Sequence, residues 1–258
     1  MIDIINLTKE YPAGGRTAVA GLDLTIASGE FLVLVGPSGC GKTTTLTMIN
    51  LLTEPSAGEI RIDGENIRNS DPVALRRRIG FVFQDVGLFP HLTAAENIGI
   101  TLKLMRTPKP EIEARTDELM AQMHMPRAQF GTRLPRALSG GQRQRIGLAR
   151  ALAAKPSIML MDEPFGALDP LTRDELAPEY RALHDALKLT TVLVTHDMTE
   201  AFLLADRIAV MRAGKLVQIG TPHEIVSRPT DDFVRALIEN PRKRALALAR
   251  VMEANGAP

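Results

Sequence analysis

A chain of 258 residues, 45% apolar and 24% charged, has the make-up of an ordinary globular protein with room for a sizeable core. Its 31 basic and 30 acidic residues leave a formal charge of +1, which argues against a nucleic-acid partner, and its single cysteine excludes an internal disulfide framework. No apolar run reaches the roughly 18 residues of a membrane span, and the start, MIDIINLTKE, lacks the pattern of a signal peptide. The chain is expected in the cytosol, with any membrane contact made through a partner.

IDIINL and LDLTIA alternate as half-buried strands, and GEFLVLVG is a continuous apolar run of the kind buried on both faces. KTTTLTMINLL follows as a helix with Leu46, Ile49 and Thr53 on one side, stopped at Glu54-Pro55. GEIRIDGENI alternates about Asp63-Gly64, a hairpin signal. From about Asp71 to Ala154 the pattern reads as helical, interrupted by GLFPHLT and RLPRALSGG. SIMLMDEP and TTVLVTHD are two more apolar strands, with a helix from Leu171 to Leu187 between them. RIAVMRAGKLVQIGT reads as a short hairpin turning near Ala213-Gly214. Strands alternating with helices imply an α/β fold with a parallel sheet. The block from about Val86 to Leu152 is too long for a crossover, so it is expected as an inserted helical subdomain. Pro241 to Pro258 reads as a basic, Ala-rich helical tail.

GPSGCGKTT comprises Gly36, Pro37, Ser38, Gly39, Cys40, Gly41, Lys42, Thr43 and Thr44. It fits a phosphate-binding loop and sits where one must, after a buried strand and before a helix. Glycines let backbone amides turn inward around a β-phosphate, and the helix N-terminus adds partial positive charge. Lys42 is expected to reach the β- and γ-phosphates, the Thr43 hydroxyl to ligate Mg²⁺, and Cys40 to serve as a small side chain that fits the loop. IMLMDEP ends a strand in acid. Asp162 is expected to position the metal, usually through a water. Glu163, directly after it, is expected beside the γ-phosphate, where a carboxylate can orient and deprotonate an attacking water. VTHD brings His196 to the end of the next strand, on the carboxyl edge of the sheet where ligands gather. From there an imidazole can hydrogen-bond the γ-phosphate.

LSGGQRQR looks like a second anion site. Ser139 caps a helix, and Gln142 closes a capping box at its third position. A cap needs the serine but not the two glycines, Gly140 and Gly141, which serve where backbone must lie close to something. This helix end has no lysine or metal ligand of its own. It is half a site, and the economical arrangement puts the two halves on different copies of the chain, in a two-fold dimer that buries two nucleotides.

GPSGCGKTT, LSGGQRQR, LMDEPFGALD and VTHD, in this order and at these spacings, resemble the nucleotide-binding subunits of ATP-binding-cassette transporters. The resemblance runs from about Ile2 to Asn240. It implies a P-loop NTPase with a RecA-like parallel sheet, an N-terminal antiparallel β subdomain and an inserted helical subdomain at about 86–152. ATP and Mg²⁺ are the implied cofactors, and ATP hydrolysis coupled to transport the implied activity. Tyr11 falls where the family stacks an aromatic on adenine. Gln84, in FVFQD, matches the glutamine that touches Mg²⁺ and moves with the transmembrane partner. Asp169, in GALD, matches the loop that meets the facing subunit. Ser139, Gly140 and Gly141, with Gln142 beside them, match the residues that contact the γ-phosphate held by the other chain. The implied partners are a second copy of the chain, transmembrane permease subunits and, indirectly, a substrate-binding protein, with no nucleic acid. The implied place is peripheral, on the cytoplasmic face of the membrane.

One such domain without membrane helices implies a bacterial importer. PVALRRRIGFVFQDVGLFPHLT and GTPHEIVSRPTDDFVRALI look most like the branch that imports osmoprotectants and other quaternary amines, such as glycine betaine, choline or carnitine. Polyamine, sulfonate or amino-acid import, and a soluble cassette ATPase outside transport, are the alternatives. Many members of that branch carry a C-terminal pair of cystathionine-β-synthase-type modules that sense ionic strength. The sequence to Pro258 contains none, so osmotic gating through such modules is not expected of it.

Overall fold

A computed structural model describes residues 1–12 and 15–239. The chain opens with two long antiparallel strands, β1 (Ile2–Tyr11) and β2 (Arg16–Ile26), then enters the interior as β3 (Phe31–Val35), all five of whose residues are buried. Helix α1 (Lys42–Ile49) leads back out to the β4 (Ala57–Ile62) and β5 (Glu65–Asn66) hairpin. Its turn, Asp63-Gly64, has both residues at positive φ (53° and 85°), as a two-residue hairpin turn requires. Next come α2 (Pro72–Arg77) and β6 (Ile79–Val82), then α3 (Ala94–Leu104), α4 (Lys109–Gln122), α5 (Arg127–Phe130) and α6 (Gly140–Leu152). The remainder alternates: β7 (Ile158–Asp162), α7 (Pro170–Leu187), β8 (Thr190–Thr195), α8 (Met198–Leu204), the hairpin β9 (Arg207–Arg212) and β10 (Lys215–Gly220), and α9 (Pro222–Ser227).

These strands form two sheets. The four-stranded one is antiparallel, in the order β2-β1-β4-β5; the six-stranded one runs β10-β9-β3-β8-β7-β6. In the second, every neighbouring pair is parallel except β9 and β10, which form an antiparallel edge. The period of two along a strand divides the core. Phe31, Val33, Val35, Met159 and Met161 face one apolar cluster, with α3, α4, α6, α7 and α8. Leu32, Leu34, Leu160, Val192 and Val194 face the other, shared with α1 and the antiparallel sheet. A sheet buried on both faces explains why its strands read as unbroken apolar runs.

Two sequence expectations are corrected. Residues 79–82 form a strand inside the stretch read as helical: IGFV is too short to show alternation, and Gly80 lets the backbone lie against Met159, Pro156 and the Ala151 carbonyl. Helix α1 also ends early, at Ile49, because Asn50 caps it and Leu51 turns left-handed (φ 49°) before Thr53 is reached. The expected tail, 241–258, lies outside the described residues. Among the described residues, no helix is long and apolar enough to cross a membrane.

Candidate functional site

The loop from Gly36 to Gly41 leaves the carboxyl end of β3 and opens α1. Gly41 occupies the helix cap at φ 106° without a side-chain hydrogen bond, which leaves first-turn amides unclaimed by any cap. A side chain at Gly36 would run into the Met211 carbonyl, and one at Gly41 into the Ala18 carbonyl. The loop is therefore pressed between β9 and β2, and only glycine fits at its two ends. From behind, the β9–β10 turn supports it: Gly214 N donates to Cys40 O at 3.0 Å, and Ala20 N donates to Gly214 O at 2.9 Å. Cys40 is buried in this contact.

Lys42 is 5% exposed, yet among the described residues no carboxylate lies within ion-pair distance of it. Its Nζ donates to the carbonyls of Gly36 (2.7 Å) and Pro37 (3.1 Å). A buried ammonium satisfied by dipoles alone is a cation held ready for an anion. Across the loop, Thr43 Oγ1 donates to Asp162 Oδ1 at 2.9 Å. Burial pushes the Asp162 carboxyl above the usual carboxylate range; the Thr43 hydrogen bond opposes this, the charge of Glu163 adds to it, and Lys42 opposes it. Among the described residues, no three His, Cys, Asp or Glu side chains cluster as a protein cage for a metal. The Thr43 hydroxyl and Asp162 carboxylate instead form a two-oxygen set, which suits a hard cation shared with phosphate oxygens.

Glu163 follows β7 at φ 43°, its amide donated to Val194 O at 2.9 Å. Its Oε2 lies 3.2 Å from His196 Nδ1 at the end of β8 and 3.4 Å from Gln84 Nε2 beyond β6. The carboxyl ends of β6, β7 and β8 thus deliver an amide, a carboxylate and an imidazole to one point. They share a cleft of about 530 Å³ with Ser38, Gly39, Lys42, Thr43 and Thr44. Tyr11 also lines the cleft, half exposed, with the Lys9 ammonium 5.1 Å from the ring centre. Arg16 and Ala18 also line the cleft and were not legible as site residues. Arg16 Nη2 donates to Gly39 O at 2.5 Å, but a lone arginine at the start of an edge strand carries no motif.

Ser139, Gly140, Gly141, Gln142 and Asp169 do not line this cleft. Ser139 caps α6 in a complete capping box: Gln142 N donates to Ser139 Oγ at 3.2 Å, and Ser139 N donates to Gln142 Oε1 at 3.0 Å. A side chain at Gly140 would meet open space, whereas one at Gly141 would run into Thr172 Cγ2. For Gly141, then, the close approach that a glycine signals is made within the chain, to the first turn of α7. Asp169 caps that turn, accepting from Thr172 N (3.1 Å) and Thr172 Oγ1 (2.7 Å), and these bonds hold its carboxyl below the usual range.

A sheet of parallel strands with this loop after its first buried strand, and an acid at the end of β7, one strand removed from β3 across β8, defines a P-loop NTPase. The ABC transporter family model matches residues 19–166, and the chain belongs to that family. It is 53% identical over 242 residues to the choline transport ATP-binding protein OpuBA of Bacillus subtilis, covering 94% of this chain and 63% of that protein. It is 48% identical over 235 residues to the glycine betaine uptake system ATP-binding protein YehX of Escherichia coli, covering 91% of this chain and 75% of that protein. The chain thus spans 63% of the length of the first curated relative it matches. A solved dimeric ATP-binding cassette with ADP and Pi bound superposes with a TM-score of 0.78 at 35% identity, over 86% of this chain and 99% of that one. The cbiO1 protein of Clostridium perfringens, part of an ABC transporter complex, gives a TM-score of 0.81 at 27% identity, over 98% of each chain.

Proposed function

We propose that this chain is the ATP-hydrolysing subunit of an ABC importer for osmoprotectants such as glycine betaine, choline or carnitine. The relatives named for choline and glycine betaine uptake support the substrate class. The observation that carries the hydrolytic reading is the meeting of Glu163, His196 and Gln84 beside the Thr43–Asp162 pair.

Tyr11 stacks on adenine, and the amides of 36–44 hold the β-phosphate. Lys42 exchanges its carbonyl partners for β- and γ-phosphate oxygens. Thr43, Gln84 and Asp162 would hold Mg²⁺, which would supply neutralising charge to the phosphates. Glu163 Oε2 accepts a proton from a water as the water's oxygen bonds the γ-phosphorus and the bond to the bridging oxygen breaks. His196 holds the water and γ-phosphate in line. Ser139, Gly140, Gly141 and Gln142 complete the site on a second copy, with Asp169 at the contact, an arrangement that the dimeric state of a solved neighbour supports. Residues 2–240 act as the ATP-binding domain. Within them, 86–152 form the helical part that docks permease subunits at the cytoplasmic face, where a substrate-binding protein delivers the solute.

Glu163→Gln tests the chemistry. Nucleotide titration should be unchanged, while single-turnover hydrolysis falls roughly a hundred- to ten-thousand-fold, the worth of a positioned base. Hydrolysis close to wild type would remove Glu163 from the role of base. Uptake of labelled choline and putrescine in cells lacking the chain tests the solute: loss of putrescine uptake alone would overturn the osmoprotectant assignment.

A further inference from the structure

Arg173 lies on the first turn of α7, outside the cleft, and the proposed reaction does not touch it. Its guanidinium nevertheless meets three acceptors on two separate segments. Nη1 donates to Asp197 Oδ2 at 3.1 Å, Nη2 donates to the Leu168 carbonyl at 3.3 Å, and Nε lies 3.7 Å from Glu200 Oε1. Nε is buried without a hydrogen-bond partner, so the fork is shared among acceptors rather than matched to one carboxylate.

Two of these contacts bear on the neighbours of His196, Asp197 directly and Thr195 through Glu200. Glu200 is 4% exposed and accepts a hydrogen bond from Thr195 Oγ1 at 2.7 Å. Thr195 Oγ1 in turn accepts from the Asp197 amide at 3.0 Å. Asp197 Oδ1 caps α8 through the Thr199 amide at 2.7 Å. The residues on either side of His196 are therefore tied down, while its own ring is 62% exposed and reaches Glu163 Oε2 at 3.2 Å. A side chain that open is aimed by its backbone. The third contact, Leu168, belongs to the segment that runs from Glu163 to Asp169. One cation thus joins the support of His196 to the support of its carboxylate partner.

We propose that Arg173 is a positioning residue for the His196–Glu163 pair, clamping the turn after β8 to the segment after β7 through Asp197, Glu200 and Leu168. This deepens the hydrolytic reading of the site and rests on it. Lysine does not replace the arginine, because the three donors of an ammonium sit on one nitrogen and cannot span acceptors set around the three nitrogens of a planar fork. Glu200 needs the cation as well, since a carboxylate that deeply buried is costly without a partner.

The test compares the wild-type chain with Arg173→Met, Arg173→Lys and Glu200→Gln. The readouts are titration with a fluorescent ATP analogue, single-turnover hydrolysis of ATP with Mg²⁺, and nitrogen NMR of the imidazoles. With five histidines in the chain, assignment is tractable. Nucleotide affinity should stay at the wild-type value in all three variants. Hydrolysis by Arg173→Met should fall roughly ten- to a hundred-fold, the cost of a group displaced by about an ångström. The His196 nitrogen signals should move, while those of His91 and His223 on other elements hold. Arg173→Lys should fail to rescue either readout, and Glu200→Gln, which keeps an acceptor for Thr195, should lose less. Wild-type His196 signals in a folded Arg173→Met would overturn the proposal whatever its rate. Should Arg173→Met not fold, Arg173→Lys decides by the same two readouts: moved signals with slow turnover support the clamp, and unchanged signals and rate overturn it. A His196→Ala chain that hydrolyses normally would sink the role of His196 itself, and the NMR comparison would still decide whether Arg173 places its ring.

Discussion

Glu163 is held at a backbone angle, φ 43°, that residues with side chains rarely adopt, at a cost of about 1–3 kcal/mol. The hydrogen bond from its backbone N–H to the Val194 carbonyl holds this conformation, in which the carboxylate meets His196 and Gln84. Asp162, one residue earlier, carries a different burden. Its carboxyl is raised by burial, so the unfolded chain ionises it at lower pH than the folded chain does. Stability from this group is therefore lost as pH rises from the ordinary carboxylate range through the raised value. Asp162→Asn should melt higher than wild type at neutral pH, with the gap narrowing in acid, and should bind ATP in a way that no longer depends on Mg²⁺. Calorimetry across pH and titration with and without the metal check both halves; a lower melting temperature at neutral pH would refute the first. Glu163, His196, Lys42 and Asp162 were legible because each ends a recognisable run. Arg16 was not, because its importance lies in reaching Gly39 across 23 positions of sequence.

Helices α6 and α7 show how capping and packing share residues. Thr172 bonds the Asp169 cap through its hydroxyl and meets Gly141 through its methyl. Rotating away from a new side chain would cost it the cap bond. Gly141→Ala should therefore destabilise the chain by about 1–3 kcal/mol, as overpacking does. Thr172→Ser, which keeps the hydroxyl and removes the methyl, should restore most of that loss in the double variant. Denaturant melts of the four proteins measure it, and additive effects would show that the two residues do not compete for the same space. The capping box at Ser139 could be read from sequence because it is local. Strand β6 could not, because a four-residue apolar run becomes a strand only through its pairing with β7. Likewise, nothing local announces that buried Asn97 ties down the turn before α3, donating to the Phe89, Leu92 and Thr93 carbonyls and accepting from the Phe89 amide.

At the scale of the whole molecule, the cleft and the start of α6 are separate features of one chain. Arg150 of α6 donates to the carbonyls of Val86 and Gly87, so the segment beyond Gln84 is anchored to the same helix that begins at Gly140. A movement of α6 would thereby be felt at both. If the start of α6 completes the site on a facing copy, a Glu163→Gln chain should run as a dimer on sizing with ATP and as a monomer with ADP. Ser139→Arg in that background should return it to monomer with nucleotide affinity unchanged, because a bulky cation covers the helix start. Ser139→Ala loses only the cap, about 0.5–2 kcal/mol of stability, and should still dimerise. A Ser139→Arg chain that dimerises normally with ATP would defeat the shared-site reading.

The β9–β10 turn, whose Ala213 and Gly214 both adopt positive φ (49° and 79°), has the outward form of a hairpin tip. Such tips are ordinarily the places where a protein accepts added residues. This one should refuse them. Gly214 gives its amide to Cys40 and its carbonyl to Ala20, so its backbone is the rear wall of the phosphate loop. A short Gly-Ser insertion between Ala213 and Gly214 should leave the chain folded and weaken ATP binding, although it lies far along the sequence from any nucleotide motif. For anyone tagging or grafting onto this chain, its neatest surface turn is the wrong place to cut.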